Sequence, residues 1–134
     1  MSIRKENSDQ TRIGSQPKAT ERIPERYQAS VVITEGYAAG MEYLVTRSST
    51  VIGRDANADI PLKDPLVSRQ HAIIVYHEGH YVLKDLESTN GTRMKDTLIK
   101  QADLRHGDRF RVGDTVLQFI LEENRRARTY EIGT

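Results

Sequence analysis

The sequence predicts an all-β fold: an antiparallel β-sandwich of about eleven short strands, carried between two polar tails. Three observations lead there. Short runs rich in Val, Ile, Thr and Tyr recur along the middle of the chain, as in Ser30–Thr34, Ala72–His77 and Thr115–Leu121. Turn-forming residues punctuate them closely, at Gly36 and Gly40, Ser48-Ser49, Glu78-Gly79, His106-Gly107-Asp108 and Gly113-Asp114. That spacing of strands and turns suits a sandwich. Finally, the one helix-like candidate, Thr97 to His106, places its apolar residues at 98, 99, 102 and 104, which make no helical stripe.

In order along the chain, Ser30–Thr34 is the first strand and Glu35–Gly40 a turn with two glycines. Met41–Thr46 is the second strand, with Tyr43 and Val45 on one face, and Thr50–Gly53 the third. Arg54–Pro65 is loop-like, rich in Asp, Asn and Pro, with Ile60 and Leu62 alternating as a short strand would. Ala72–His77 and His80–Leu86 form a hairpin whose tip needs the left-handed backbone that Gly79 supplies. Met94 and Leu98-Ile99 flank a hairpin turn at Lys95-Asp96. Arg109–Val112 alternates charged and apolar residues, and Thr115–Leu121 closes the domain.

The domain therefore spans residues 29–122. Residues 1–28 mix Ser, Gln, Asn, Lys, Glu and Arg with Pro17 and Pro24 and are expected to form a solvated, disordered tail, because so few apolar groups cannot offset the entropy of ordering. Residues 123–134 form a basic flexible tail, with Arg125, Arg126 and Arg128 before Thr129.

Composition narrows the function. Lys and Arg number 20 against 19 Asp and Glu, so the net charge of +1 provides no general pull toward nucleic acid or an anionic membrane. Cys is absent, which removes disulfide and thiolate chemistry. No apolar segment has the length of a membrane helix or the layout of a signal peptide, so a cytoplasmic protein is expected. The four His (71, 77, 80 and 106) are joined by no Cys or suitably spaced carboxylate, so neither a metal nor another cofactor is expected.

Three clusters at strand ends carry the chemistry: Gly53-Arg54, then Ser68-Arg69-Gln70-His71 beginning fourteen residues after Arg54, then Ser88-Thr89-Asn90-Gly91-Thr92. Arg54 and Arg69 bring cations, Ser68 and Thr89 hydroxyls, and Asn90 an amide. These donors suit a phosphate and the peptide that bears it. No nucleophile, base and orienting acid stand together in the sequence, so an enzyme is not expected. Taken singly, Arg54 is more often a surface ion-pair partner, here for Asp55 or Asp59, Ser68 more often a turn or cap residue, and Asn90-Gly91 a turn signal.

Together these clusters resemble the forkhead-associated (FHA) domain, a phosphothreonine-binding β-sandwich, over about Ser30 to Leu121. The resemblance implies that Arg54 contacts the phosphate, that the Ser68 hydroxyl and amide hold its oxygens, and that Thr89 also reaches it. Arg69 would add a phosphate or peptide contact, and Asn90 would bond the peptide main chain. Gly53, His71 and Gly91 would be scaffold positions. Lys95-Asp96 departs from the Asn-Gly that relatives often carry at that turn. The implied partners are phosphothreonine proteins written by a Ser/Thr kinase, without nucleic acid or membrane. The alternative is a phosphate-independent protein-interaction domain using the sheet surface.

The tails add two candidate phosphoacceptors, Thr20 and Thr129, each followed three residues later by Ile (Ile23 and Ile132). Similar domains often read that position. Chain length lets Thr20 just reach its own site in cis, whereas Thr129 would barely reach, so for Thr129 head-to-tail pairing between two molecules is the easier route.

Overall fold

The computed structural model describes residues 22–124 except residue 25. Eleven strands are present among them: β1 (Tyr27–Glu35), β2 (Glu42–Val45), β3 (Ser49–Gly53), β4 (Ile60–Pro61), β5 (Ala72–His77), β6 (His80–Asp85), β7 (Thr92–Met94), β8 (Thr97–Ile99), β9 (Gln101–Leu104), β10 (Arg109–Val112) and β11 (Thr115–Glu123). They form two sheets, ordered β2-β1-β11-β10-β7-β8 and β4-β3-β5-β6-β9. The inward residues alternate along each strand as a two-sheet core requires. Val31, Ile33, Leu117, Phe119, Phe110 and Val112 come from the first sheet; Ile52, Ile60, Ala72, Ile74 and Leu83 come from the second. Each of the large ones, taken fully out of water, contributes about 1.5–3 kcal/mol. Tyr81 stacks at 5.0 Å on both Tyr76 and Phe119 within this core.

The structure amends the sequence reading in three places. First, β1 opens at Tyr27, inside the stretch read as tail, and Ile23 packs against the core. Tyr27 pairs with Glu123 and Gln28 with Glu122. Backbone bonds to a strand far along the chain hold this polar segment, which no local composition reveals. Second, the alternation at Ile60 and Leu62 is indeed a strand, but β4 runs parallel to β3, the exception in an otherwise antiparallel pairing. Third, β9 forms where no turn signal marks a strand; its backbone completes the edge beside β6.

Antiparallel pairing gathers the chain's connections at two ends. Gly53, Ala72, Asp85, Thr92, Val112, Thr115 and Glu35 all lie at one end, here called the rim. The β5–β6 tip and the paired residues Tyr27 and Glu123 lie at the other. At the β7–β8 hairpin, Lys95 and Asp96 both take left-handed backbone, with φ of 50° and 63°. The turn keeps the twist that suits a two-residue hairpin without the glycine that usually provides it.

Candidate functional site

Three loops meet at the rim. They follow β3 (54–59), β4 (62–71) and β6 (86–91), and a web of hydrogen bonds joins them.

The web starts from a close approach. Gly53 ends β3 directly against the next loop: a Cβ there would overlap the Arg69 carbonyl oxygen and crowd the Arg69 carbonyl carbon. The bare backbone allows Arg54 N–H to donate to Ser68 O at 3.0 Å and Asp55 N–H to Arg69 O at 3.2 Å. The side chain of Arg54 is then aimed by its Nε, which donates to Val67 O at 2.9 Å and leaves the guanidinium tip in solvent.

His71 is fully buried and acts as the staple. Its Nδ1 accepts from the Ser68 N–H at 3.0 Å, which places the ring proton on Nε2, where it is shared with Gly91 O at 2.8 Å. Asp85 stands behind it, with Oδ1 at 4.0 Å from Nε2. Asp85 also accepts from the Ser88 hydroxyl at 2.6 Å, the Ser88 N–H at 3.1 Å and the Thr92 hydroxyl at 2.7 Å. Burial alone would raise the Asp85 pKa. The hydrogen bonds from Ser88 and Thr92, with His71 nearby, outweigh burial and hold it below its ordinary value. Ser88 Oγ in turn accepts the Gly91 N–H at 2.9 Å, and Gly91 adopts a φ of 86° that closes the loop.

Asp64 does similar work on the side facing the first sheet. It is buried and accepts from Leu66 N–H, Asp114 N–H and the Thr115 hydroxyl, each at 2.8–2.9 Å. Here too burial pushes the pKa up, and the hydrogen bonds from Leu66, Thr115 and Asp114 win, leaving it lowered. The rim is thereby tied to both sheets.

What remains unspent defines the chemistry. The Ser68 oxygen accepts from Thr89 N–H at 2.9 Å, so its hydroxyl proton is available to an acceptor outside. The Ser68 amide, assigned by resemblance to the phosphate, is already bonded to His71, so the hydroxyl is the free donor of that residue. Asn90 donates one amide N–H to Leu66 O at 2.8 Å and has its carbonyl oxygen open. Thr89 is exposed, with its hydroxyl uncommitted. Neither Arg54 nor Arg69, both exposed, has a carboxylate within 4.0 Å among the described residues. The ion-pair reading of Arg54 fails for a stated reason: Asp59 is bonded to Val51 N–H at 2.8 Å and Asp55 to Asn57 N–H at 2.9 Å. The rim thus offers two uncompensated guanidinium groups and two hydroxyls beside an amide, a set matched to a tetrahedral oxyanion on a peptide.

Ser68, His71 and Asp85 invite comparison with a hydrolytic triad. The wiring differs: the imidazole acceptor binds the serine main-chain N–H, and no bond links it to the serine hydroxyl. Nothing here activates Ser68 as a nucleophile.

The sequence comparison agrees with this geometry. The FHA domain pattern matches residues 50–113. An oxoglutarate dehydrogenase inhibitor from Corynebacterium efficiens is 34% identical over 109 residues, 80% of this chain and 76% of that protein. The chain belongs to the FHA domain family. Among solved structures, an FHA domain from a structural and functional analysis of phosphothreonine-dependent FHA interactions superimposes with a TM-score of 0.64 at 30% identity, over 69% of this chain and 95% of that one. Mycobacterium tuberculosis EmbR, solved with a low-affinity phosphopeptide, gives a TM-score of 0.64 at 34% identity, over 69% of this chain but 24% of its own.

Of the residues singled out from the sequence, Arg54, Ser68, Arg69, Thr89 and Asn90 are brought together at the FHA rim, with Gly53, His71 and Gly91 beneath them. Thr20 and Thr129 lie outside the described residues. Sequence reasoning missed Asp85 and Asp64, the two carboxylates that set the loops. Asp64-Pro65 carries a turn signal that pointed to a loop but not to burial; Asp85 carries no local signal. Among the described residues no helix is long and apolar enough to cross a membrane.

Proposed function

We propose that this protein is a non-enzymatic phosphothreonine-peptide-binding module, acting as an adaptor or regulatory switch downstream of a Ser/Thr protein kinase. The observation that carries this reading is that Arg54 and Arg69, on the bonded loops that also carry the unspent Ser68 hydroxyl, have no carboxylate partner among the described residues. A phosphothreonine brings about −1.5 to −2 charges and three acceptor oxygens to that gap. The open Oδ1 of Asn90 suits a peptide N–H and sets register. The phosphopeptide complex of EmbR supports the same use of the fold. Ordering a flexible peptide opposes these bonds, so micromolar affinity is expected.

Titration with a phosphothreonine peptide library tests this, with phosphoserine and unphosphorylated controls. Arg54 is exposed, so Arg54→Ala is expected to fold normally and to bind at least about 30-fold more weakly, equivalent to about 2 kcal/mol. Full binding by Arg54→Ala, or by the unphosphorylated peptide, overturns the reading and favours the sheet surface.

Thr20 or Thr129, once phosphorylated, is proposed to serve the rim of a second molecule. Two lengths support exchange between molecules over closure within one. Ile23 packs on the core and Tyr27 N–H bonds Pro24 O at 3.2 Å, so the N-terminal segment is held near the start of β1. From there β1 runs about 27 Å to the rim. Thr20 lies three residues beyond Ile23, at most about 11 Å of chain. Thr129 lies six residues beyond Glu123, at most about 21 Å. Size-exclusion chromatography of the phosphorylated protein is expected to show larger species that Arg54→Ala abolishes; a monomer in both forms overturns it.

A further inference from the structure

A pocket of about 300 Å³ opens beside Arg54, and Ser68, Thr89 and Asn90 take no part in its lining. It is lined by Tyr37 and Ala38 of the β1–β2 turn, Tyr43 of β2, Ala56 after β3, Pro61–Lys63 of β4 and its exit, and Thr115 of β11, with Arg54 as the wall shared with the rim. Its origin is architectural. β2 and β4 are the edge strands of the two sheets at the same side of the sandwich. β4 has only two residues, Ile60 and Pro61, and the pocket lies where it faces Tyr43 of β2. Walls and floor are aromatic and aliphatic, while the mouth carries two cations, Arg54 and the exposed Lys63.

Nothing in the rim web uses this space. The Arg54 Nε bonds Val67 O, Ser68 Oγ accepts from Thr89 N–H and Asn90 donates to Leu66 O, and none of those partners lines the pocket. The pocket is firm on its inner side, because Thr115 is locked to Asp64 at 2.9 Å. It is open on its outer side, where Tyr37 is 62% exposed. Because Arg54 is a wall of the pocket, a peptide anchored at Arg54 by its phosphate has a flank within reach of this opening.

We propose that the pocket is a second specificity site, which takes one large apolar side chain, aromatic or branched, from the flank of the phosphopeptide opposite the one bound by Asn90. An acidic neighbour to that side chain is favoured by Lys63 at the mouth. The proposal rests on the phosphopeptide reading above and adds to it a side-chain preference that the phosphate contacts cannot generate. Partial burial of a Leu- or Phe-sized group in such a site is worth about tenfold in affinity.

The test uses the full chain and a set of phosphothreonine peptides in which each position flanking the phosphothreonine is varied among Ala, Leu, Phe and Glu. One position on a single flank is expected to prefer Leu or Phe over Ala by about tenfold. Two variants then address the pocket. Ala56→Trp fills it, and Tyr37→Ala removes its outer wall; both residues are exposed, so folding should be intact. Each variant is expected to erase that preference while binding the Ala-substituted peptide within about twofold of wild type. If phosphopeptides bind but show no such preference on that flank, or if the preference survives Ala56→Trp, the pocket proposal is overturned and the phosphate reading stands. If no phosphothreonine peptide binds the wild type, both fall.

Discussion

The two ends of the sandwich use the same residue types to different effect. At the β5–β6 tip, His77, Glu78, Gly79 and His80 are exposed, and a Cβ on Gly79 would meet nothing within 4 Å. At the rim, Gly53 admits no Cβ at all, and His71 is fully buried between Ser68 and Gly91. A glycine and a histidine at the tip serve a turn. At the rim they let three loops approach closely enough to hold one another, leaving the Arg54 guanidinium tip, the Ser68 and Thr89 hydroxyl protons and the Asn90 carbonyl oxygen unspent. The price of that arrangement is a dense set of buried polar groups, each satisfied by a partner from another loop.

The contrast can be broken by substitution, and the glycines should show the largest effect. Gly53→Ala forces the Arg69 carbonyl away and is expected to cost about 4 kcal/mol or to prevent folding. Gly79→Ala, at a φ of 84° but in open space, should cost about 1 kcal/mol. Equal losses in urea denaturation would mean that the rim backbone yields easily, against the packing described here.

The histidines come next. His71→Ala leaves a cavity and orphans the Ser68 N–H and Gly91 O, an expected loss of about 2–3 kcal/mol, whereas exposed His80→Ala should change stability by less than about 0.5 kcal/mol. Any loss of peptide affinity in His71→Ala should follow unfolding, so it should shrink at temperatures where the variant is fully folded.

Acid sharpens the comparison further. Asp64 and Asp85 both titrate below the ordinary 3.8 in the folded protein. A depressed carboxyl stabilises the fold fully above its unfolded value, near pH 4, and that contribution is lost as pH falls through the lower, folded value. Unfolding midpoints should therefore drop as pH is lowered from about 5 to 2, and Asp85→Asn should lose roughly 1–2 kcal/mol at neutral pH while flattening that drop. Ligand affinity should weaken earlier, below about pH 6, as the phosphate gains its second proton. A single shared midpoint for both losses would show that the rim unfolds whenever it lets go of phosphate.

Much of this was readable from residue order. The apolar runs Ala72–His77 and Thr115–Leu121 and the alternation in Arg109–Val112 mark strands because each carries residues into the core. Gly53-Arg54, Ser68 and Asn90-Gly91 mark the rim because glycines and polar donors gathered at strand ends are a pattern visible within short windows. Other elements were hidden. Tyr27 looks like tail until β11 pairs with it, as does Gln28, and β4 shows in the sequence only as the alternation of Ile60 and Leu62, its parallel pairing with β3 being hidden. Asp64 and Asp85 look like surface carboxylates because burial is not a local property.

By itself, then, the order of residues determined the strand-and-turn grammar, the family and the donors offered at the rim, since these depend on periodicity and on side-chain chemistry within short windows. Tertiary structure alone decided which of those donors stay free, which carboxylates go inside, and that a pocket opens beside Arg54. Those outcomes depend on contacts between segments tens of residues apart: Asp64 with Thr115, His71 with Gly91, and Tyr37 and Tyr43 with Thr115 around one pocket.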